Sequence, residues 1–83
     1  MEERSFLALR IEDRVQALRT HAEYLGSRTH AGHQVHLYRM DGYFVELWMR
    51  LGTRIVEWVE VARNTEILTE YVTLDLKGLI GDH

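Results

Sequence analysis

The sequence predicts an α+β domain in the order α-β-β-β-α: a long N-terminal helix, a three-stranded antiparallel β-meander and a short C-terminal helix. Three observations carry this. Apolar residues recur every three or four positions through the first 25 residues. Between residues 33 and 62 the recurrence changes to alternation. Asp41-Gly42 then stands between the first two alternating runs, as the short turn of a hairpin does. Eighty-three residues make one domain, 1–83, whose lone core would be marginal without further support.

The first helix is expected over residues 3–25. Leu7, Ile11, Val15, Leu18, Ala22 and Leu25 fall on one helical face, and Glu12, Asp13, Arg14, Arg19 and Glu23 lie off it. Glu2 and Glu3 sit where the helix dipole favours anions, and Gly26 supplies a stop. Residues 26–32, "GSRTHAG", read as a connecting loop. Strands are expected at 33–40 and 43–50. A two-residue type I′ turn at Asp41-Gly42 would pair Met40 with Tyr43, Tyr38 with Val45 and His36 with Leu47. "RIVEWVEVA", residues 54–62, is rich in β-branched residues and makes the third strand, after a turn at Gly52-Thr53. Asn64 and Thr65 are N-cap types before Ile67, Leu68, Tyr71 and Val72, a short amphipathic helix. "LDLKGLI" either extends that helix or makes a separate turn.

These turns decide which residues share a face of the sheet. One face would carry Val35, Leu37, Arg39, Phe44, Glu46, Trp48, Arg50, Glu57, Val59 and Val61. The other would carry His36, Tyr38, Met40, Tyr43, Val45, Leu47, Met49, Val56, Trp58 and Glu60. A one-residue slip in the third strand would exchange its assignments. Both faces are apolar in the middle, and one helix covers only one of them. Monomers seldom expose large apolar patches, so the expectation is a homodimer, with sheets stacked face to face or edge strands paired into one continuous sheet. Tyr38, Tyr43, Trp58, Leu47, Met49 and Val56 are the candidate binding surface.

Composition narrows the function. There is no Cys, which removes disulfides, thiolate metal sites and cysteine nucleophiles. No apolar run nears the roughly 18 residues of a membrane span, and Met1-Glu2-Glu3-Arg4 does not start like a signal peptide, so a soluble cytoplasmic protein is expected. The formal charge is −3 with no basic block, which makes duplex nucleic acid a poor partner. His30, His33 and His36 are spaced as "HxxHxxH", but in a strand His33 and His36 point to opposite faces. No metal and no cofactor are expected.

Glu46, Glu57 and Glu60 lie inside strands. Ion pairs with Arg39, Arg50 or Arg54 are their ordinary use. Glu46, flanked by Val45, Leu47 and Trp48, is the strongest candidate for a buried carboxylate, with His36, Arg39 and Arg50 completing a possible polar site. Neither serine sits in a nucleophile motif, and no catalytic residue is assigned.

"YRMDGYFVELWMR", continued by "IVEWVEV", resembles small bacterial proteins with a Y-x-x-D-x-[FY]-[FY]-V-E-[VL]-W strand. The resemblance covers residues 36–72 and implies an α+β fold without an assigned activity.

The functional expectation is a non-enzymatic, homodimeric protein-interaction domain that uses a sheet face or an edge strand. The alternatives are single-stranded nucleic-acid binding through the aromatic face and a small toxin-type ribonuclease using Glu46, His36 and the arginines.

Overall fold

Among the described residues two short helices and four strands follow one another: α1 (Glu3–Leu7), α2 (Ile11–His21), β1 (Glu23–His30), β2 (His33–Arg39), β3 (Phe44–Arg50) and β4 (Val56–Val61). The computed structural model describes residues 1–64 together with Glu66, Leu68 and Tyr71. The strands form one antiparallel sheet in the order β1-β2-β3-β4. The α+β class is therefore present, with four strands instead of three and two helices in place of the long one. The expected C-terminal helix lies mostly outside the described residues. At its expected start Asn64 Oδ1 accepts the Glu66 amide at 2.9 Å, the local bond that favours such a residue there.

The extra strand comes from residues assigned to the helix end and the loop. Ala31 (φ 50) and Gly32 (φ 78) occupy consecutive left-handed positions, and His30 faces His33 across them. That is the backbone of a two-residue hairpin turn. It folds "EYLGSRTH" back onto β2 as an edge strand. Apart from Gly26, only Tyr24 and Leu25 in it are apolar, so its alternation is nearly silent in the sequence. A β-bulge between Tyr24 and Gly26 turns Leu25 towards the face opposite the helices.

The predicted long helix breaks near Ala8–Arg10. A continuous 23-residue helix would run about 34 Å, against roughly 20–27 Å for strands of this length. The break lets Phe6 and Leu18 enter one core, and leaves Leu7 and Ile11 of the predicted stripe exposed. Arg14 holds the corner. Its guanidinium donates to the carbonyls of Leu9 (3.1 Å), Leu7 (2.9 Å) and, on β4, Val59 (2.7 Å). This also covers an acceptor on an edge strand.

The hairpin register is the one expected: Tyr38 pairs with Val45 and His36 with Leu47, and the Met40 amide donates to Tyr43 O at 2.8 Å. The turn is not type I′, because Gly42 (φ 81) has a positive φ and Asp41 does not. In β4 a second bulge alters the face assignments. Trp48 pairs with Trp58 but Met49 pairs with Val56, so Glu57 is the extra residue. Val59 and Val61 therefore join the helix-side face with Val45 and Leu47, while Trp58 and Glu60 move to the face of Glu46 and Trp48. This corrects the placement of all four.

Phe6, Ala17, Leu18, Met40, Tyr43, Val45, Leu47, Val59 and Val61 form the core between helices and sheet. On the other face Val35, Leu37 and Tyr71 form a smaller cluster with Leu25, Phe44, Trp48 and Leu68. Among the described residues no helix is long and apolar enough to cross a membrane.

Candidate functional site

Alternation along the strands brings Tyr24, His36, Tyr38, Leu47 and Met49 to the helix side of the sheet. With Val56 they line a groove of about 490 Å3 whose other walls are Val15 and Arg19 of α2 and Arg54. The groove exists because α2, eleven residues and about 16 Å long, packs on β4 and leaves part of the face towards β1 uncovered. Its floor is apolar. Arg19 and Arg54 form no ion pair with any described residue.

The polar groups of this groove are tied to one another. The Tyr24 hydroxyl lies 3.0 Å from His36 Nδ1, and the Tyr24 ring meets Tyr38 edge-on at 5.3 Å. Burial lowers the His36 pKa, because the charged ring loses water. The neutral ring leaves Nδ1 free to accept the Tyr24 proton. Burial chiefly, and then the neighbouring Tyr24, raise the Tyr38 pKa, with Arg19 opposing them. One consequence is testable. A histidine whose pKa is lowered by folding contributes full stability above its unfolded pKa of roughly 6.5, and that stability is lost as pH falls towards the folded value. Chemical denaturation between pH 7.5 and pH 5 should therefore show a loss of stability that is smaller in His36→Asn, and the His36 ring should titrate below roughly 6.5 by NMR. Titration above that value would contradict the assignment.

On the opposite face Glu46 is 2% exposed. Its Oε2 accepts from Arg28 (3.3 Å) and from the Tyr71 hydroxyl (2.8 Å). The Arg28 guanidinium lies between the rings of Trp48 (5.7 Å) and Tyr71 (5.3 Å). Burial and the adjacent carboxylate push the Tyr71 hydroxyl well above the ordinary tyrosine range. Glu46 is thus a buried, paired carboxylate with two donors on one oxygen, an arrangement that fixes the side chains around it.

Beyond Trp48 the same face opens into a second groove of about 650 Å3, lined by His33, Trp48, Glu57, Trp58 and Glu60. Glu57 accepts from His33 Nε2 (2.6 Å) and Arg50 (2.7 Å), and these two bonds hold its carboxyl below the usual carboxylate range. The rings of His30 and His33 meet Trp48 edge-on.

Of the residues singled out in the sequence, Tyr38, Leu47, Met49, Val56 and His36 come together in the helix-side groove. Tyr43 does not join them. It is buried under α1, with its hydroxyl on the Met1 carbonyl at 2.8 Å. Trp58 lines the other groove, and Glu46 is separated from His36 by the thickness of the sheet. Arg39 pairs with Glu23 and Arg50 with Glu57, both at the surface. Sequence reasoning missed Tyr24 and Arg28, which belong to the unrecognised β1, and Arg19, which sits beside Val15 on α2. The Ala31-Gly32 pair between His30 and His33 was the signal that could have revealed β1. Among the described residues no three His, Asp or Glu side chains come together to hold a metal ion.

Set against known protein families, curated proteins and solved structures, the chain gives no match.

Proposed function

We propose that this chain is a non-enzymatic interaction domain that takes an apolar, acidic segment of a protein partner into the groove between α2 and the sheet. The observation that carries this is the pairing of an apolar floor (Leu47, Met49, Val56) with two arginines, Arg19 and Arg54, that meet no carboxylate among the described residues. Apolar side chains supply the affinity of such a contact, and the charges at its rim select the partner and its register. A two-fold dimer through this face would set Arg19 and Arg54 against their own copies, which disfavours a second molecule as the occupant. Catalysis is disfavoured, since among the described lining residues no carboxylate stands beside His36 and its ring is tied to the Tyr24 hydroxyl. Base stacking is disfavoured because Tyr24 and Tyr38 meet edge-on and Tyr24 is tied to His36.

The test uses labelled peptides with leucine alternating with either glutamate or lysine, followed by anisotropy. The glutamate peptide should bind, and Arg19→Glu with Arg54→Glu should weaken it at least ~10-fold while gaining the lysine peptide. Equal binding of both peptides to the unaltered protein, or tighter binding of an oligothymidylate, would overturn the proposal.

A second reading rests on a different observation. Arg14 covers the Val59 carbonyl on the β4 edge, whereas β1 is an edge strand with no such cover among the described residues. Pairing of two β1 strands would extend the sheet and produce the homodimer. Sedimentation equilibrium separates the two: a dimer that Ser27→Pro dissociates supports β1 pairing, and a monomer at all concentrations rejects it.

A further inference from the structure

Trp48 and Trp58 are direct partners in the β3–β4 ladder, so both indoles leave the same face of the sheet. Their rings nevertheless do not meet. Trp48 is contacted by His30, His33 and Arg28, and Trp58, 53% exposed, touches no other ring among the described residues. The space left beside them is the groove of about 650 Å3.

The lining of this groove selects its ligand. Among the described residues its lining is two indoles, His33 and two carboxylates, with no arginine or lysine. Glu57 is ionised by its bonds to His33 and Arg50. Glu60, half-buried, makes no ion pair among the described residues. An anion would meet the carboxylate of Glu60, which has no cation beside it among the described residues. A small metal ion would find indole faces where it needs oxygen or imidazole ligands, and no described cluster of three such ligands exists. A neutral apolar molecule would desolvate the unpaired Glu60 without compensating it. An ammonium group wrapped in methyl groups suits the described lining. Its charge is attracted to indole faces and carboxylates, and its surface is apolar and weakly hydrated.

We propose that the groove between Trp48 and Trp58 is a binding site for a quaternary or N-methylated ammonium group, held against the indoles and balanced by Glu60. It lies on the opposite face of the sheet from the groove proposed for a partner segment, and does not depend on that proposal.

The experiment titrates the full chain with choline, followed by intrinsic tryptophan fluorescence and by the two indole N–H resonances. Choline should bind with a dissociation constant on the order of 1 mM or tighter and shift both indole signals. The uncharged analogue 3,3-dimethyl-1-butanol should bind at least ~10-fold more weakly. Trp58→Leu, at an exposed position, should keep the fold and lose choline binding, and Glu60→Gln should weaken it several-fold. Arg19→Glu with Arg54→Glu should bind choline unchanged, which separates this site from the other groove. An N-acetyl trimethyllysine amide tested alongside distinguishes the source of the group: tighter binding than choline indicates a methylated protein side chain, and weaker binding a free small molecule. Equal affinity for choline and its neutral analogue, unchanged binding by Trp58→Leu, or no saturable shift with either ammonium compound would overturn the proposal.

Discussion

Replacing Glu46 by leucine should destabilise the domain by ~3–5 kcal/mol, the cost typical of breaking one side of a buried ion pair. The Glu46 side chain is 3% exposed and the Arg28 side chain 9%. The guanidinium would lose an acceptor at 3.3 Å while staying between two aromatic rings, where water cannot replace it. The Tyr71 hydroxyl would lose its bond to the same oxygen. For a domain of 83 residues, total stability is roughly 4–12 kcal/mol, so the variant should stand near the edge of folding. Its Tm should fall by more than ~12 °C. Two further variants separate charge from packing. Tyr71→Phe removes one hydrogen bond to a charged group and should cost about 1.5–3 kcal/mol. Arg28→Met added to Glu46→Leu should recover most of the loss, because the pair gains little net energy from attraction and costs much when broken. Urea denaturation of the four proteins measures this. Failure of the double variant to recover would mean that Arg28 matters chiefly through its stacking on Trp48 and Tyr71.

Phe6→Ala should cost ~3–5 kcal/mol by a different route. Phe6 is fully buried, its ring tilted on Tyr43 at 6.1 Å and capped by the Arg14 guanidinium at 5.7 Å. Helix α1 has five residues, too few to be stable alone, so its position depends on what Phe6 buries. Losing the ring should loosen α1 and remove the Leu7 carbonyl from Arg14. The cover that Arg14 gives Val59 should weaken with it, opening the β4 edge to pairing with other molecules. The expected result is a lower denaturation midpoint, faster amide exchange along β4 and concentration-dependent association. A loss under ~1 kcal/mol with unchanged exchange would show that α1 is held by its other contacts.

The central hairpin was legible because its signals are local. Asp41-Gly42 sits between strands that alternate strongly, and a one-residue shift would have put Val35 and Leu37 on the wrong side of the sheet. That His36, Tyr38, Leu47 and Met49 share one face was legible for the same reason, once that register is set; that the helices pack on this face, leaving a groove beside α2, was not. Glu46 could be singled out by its apolar neighbours, but its partners could not. Arg28 lies in a strand with almost no apolar alternation, and Tyr71 lies 25 residues further along the chain. The division of "EERSFLALRIEDRVQALRTHAEYL" into two helices and the start of a strand was hidden as well. The stripe through Leu7, Ile11 and Val15 is a true helical period, and only the size of the sheet beneath it limits how much of it can be used.

By itself, the sequence determined the α+β class, the β2–β3 register and the face shared by Tyr38, Leu47 and Met49. Each follows from the period of neighbouring side chains and the backbone freedom of a few turn residues. Tertiary structure alone decided that the long helix divides, that the bulge at Glu57 sends Trp58 and Glu60 to the far face, and that Arg28 closes on Glu46. Those outcomes depend on which distant surfaces meet. A bulge adds one residue without changing composition, and a buried ion pair forms only where the fold excludes water from both partners at once.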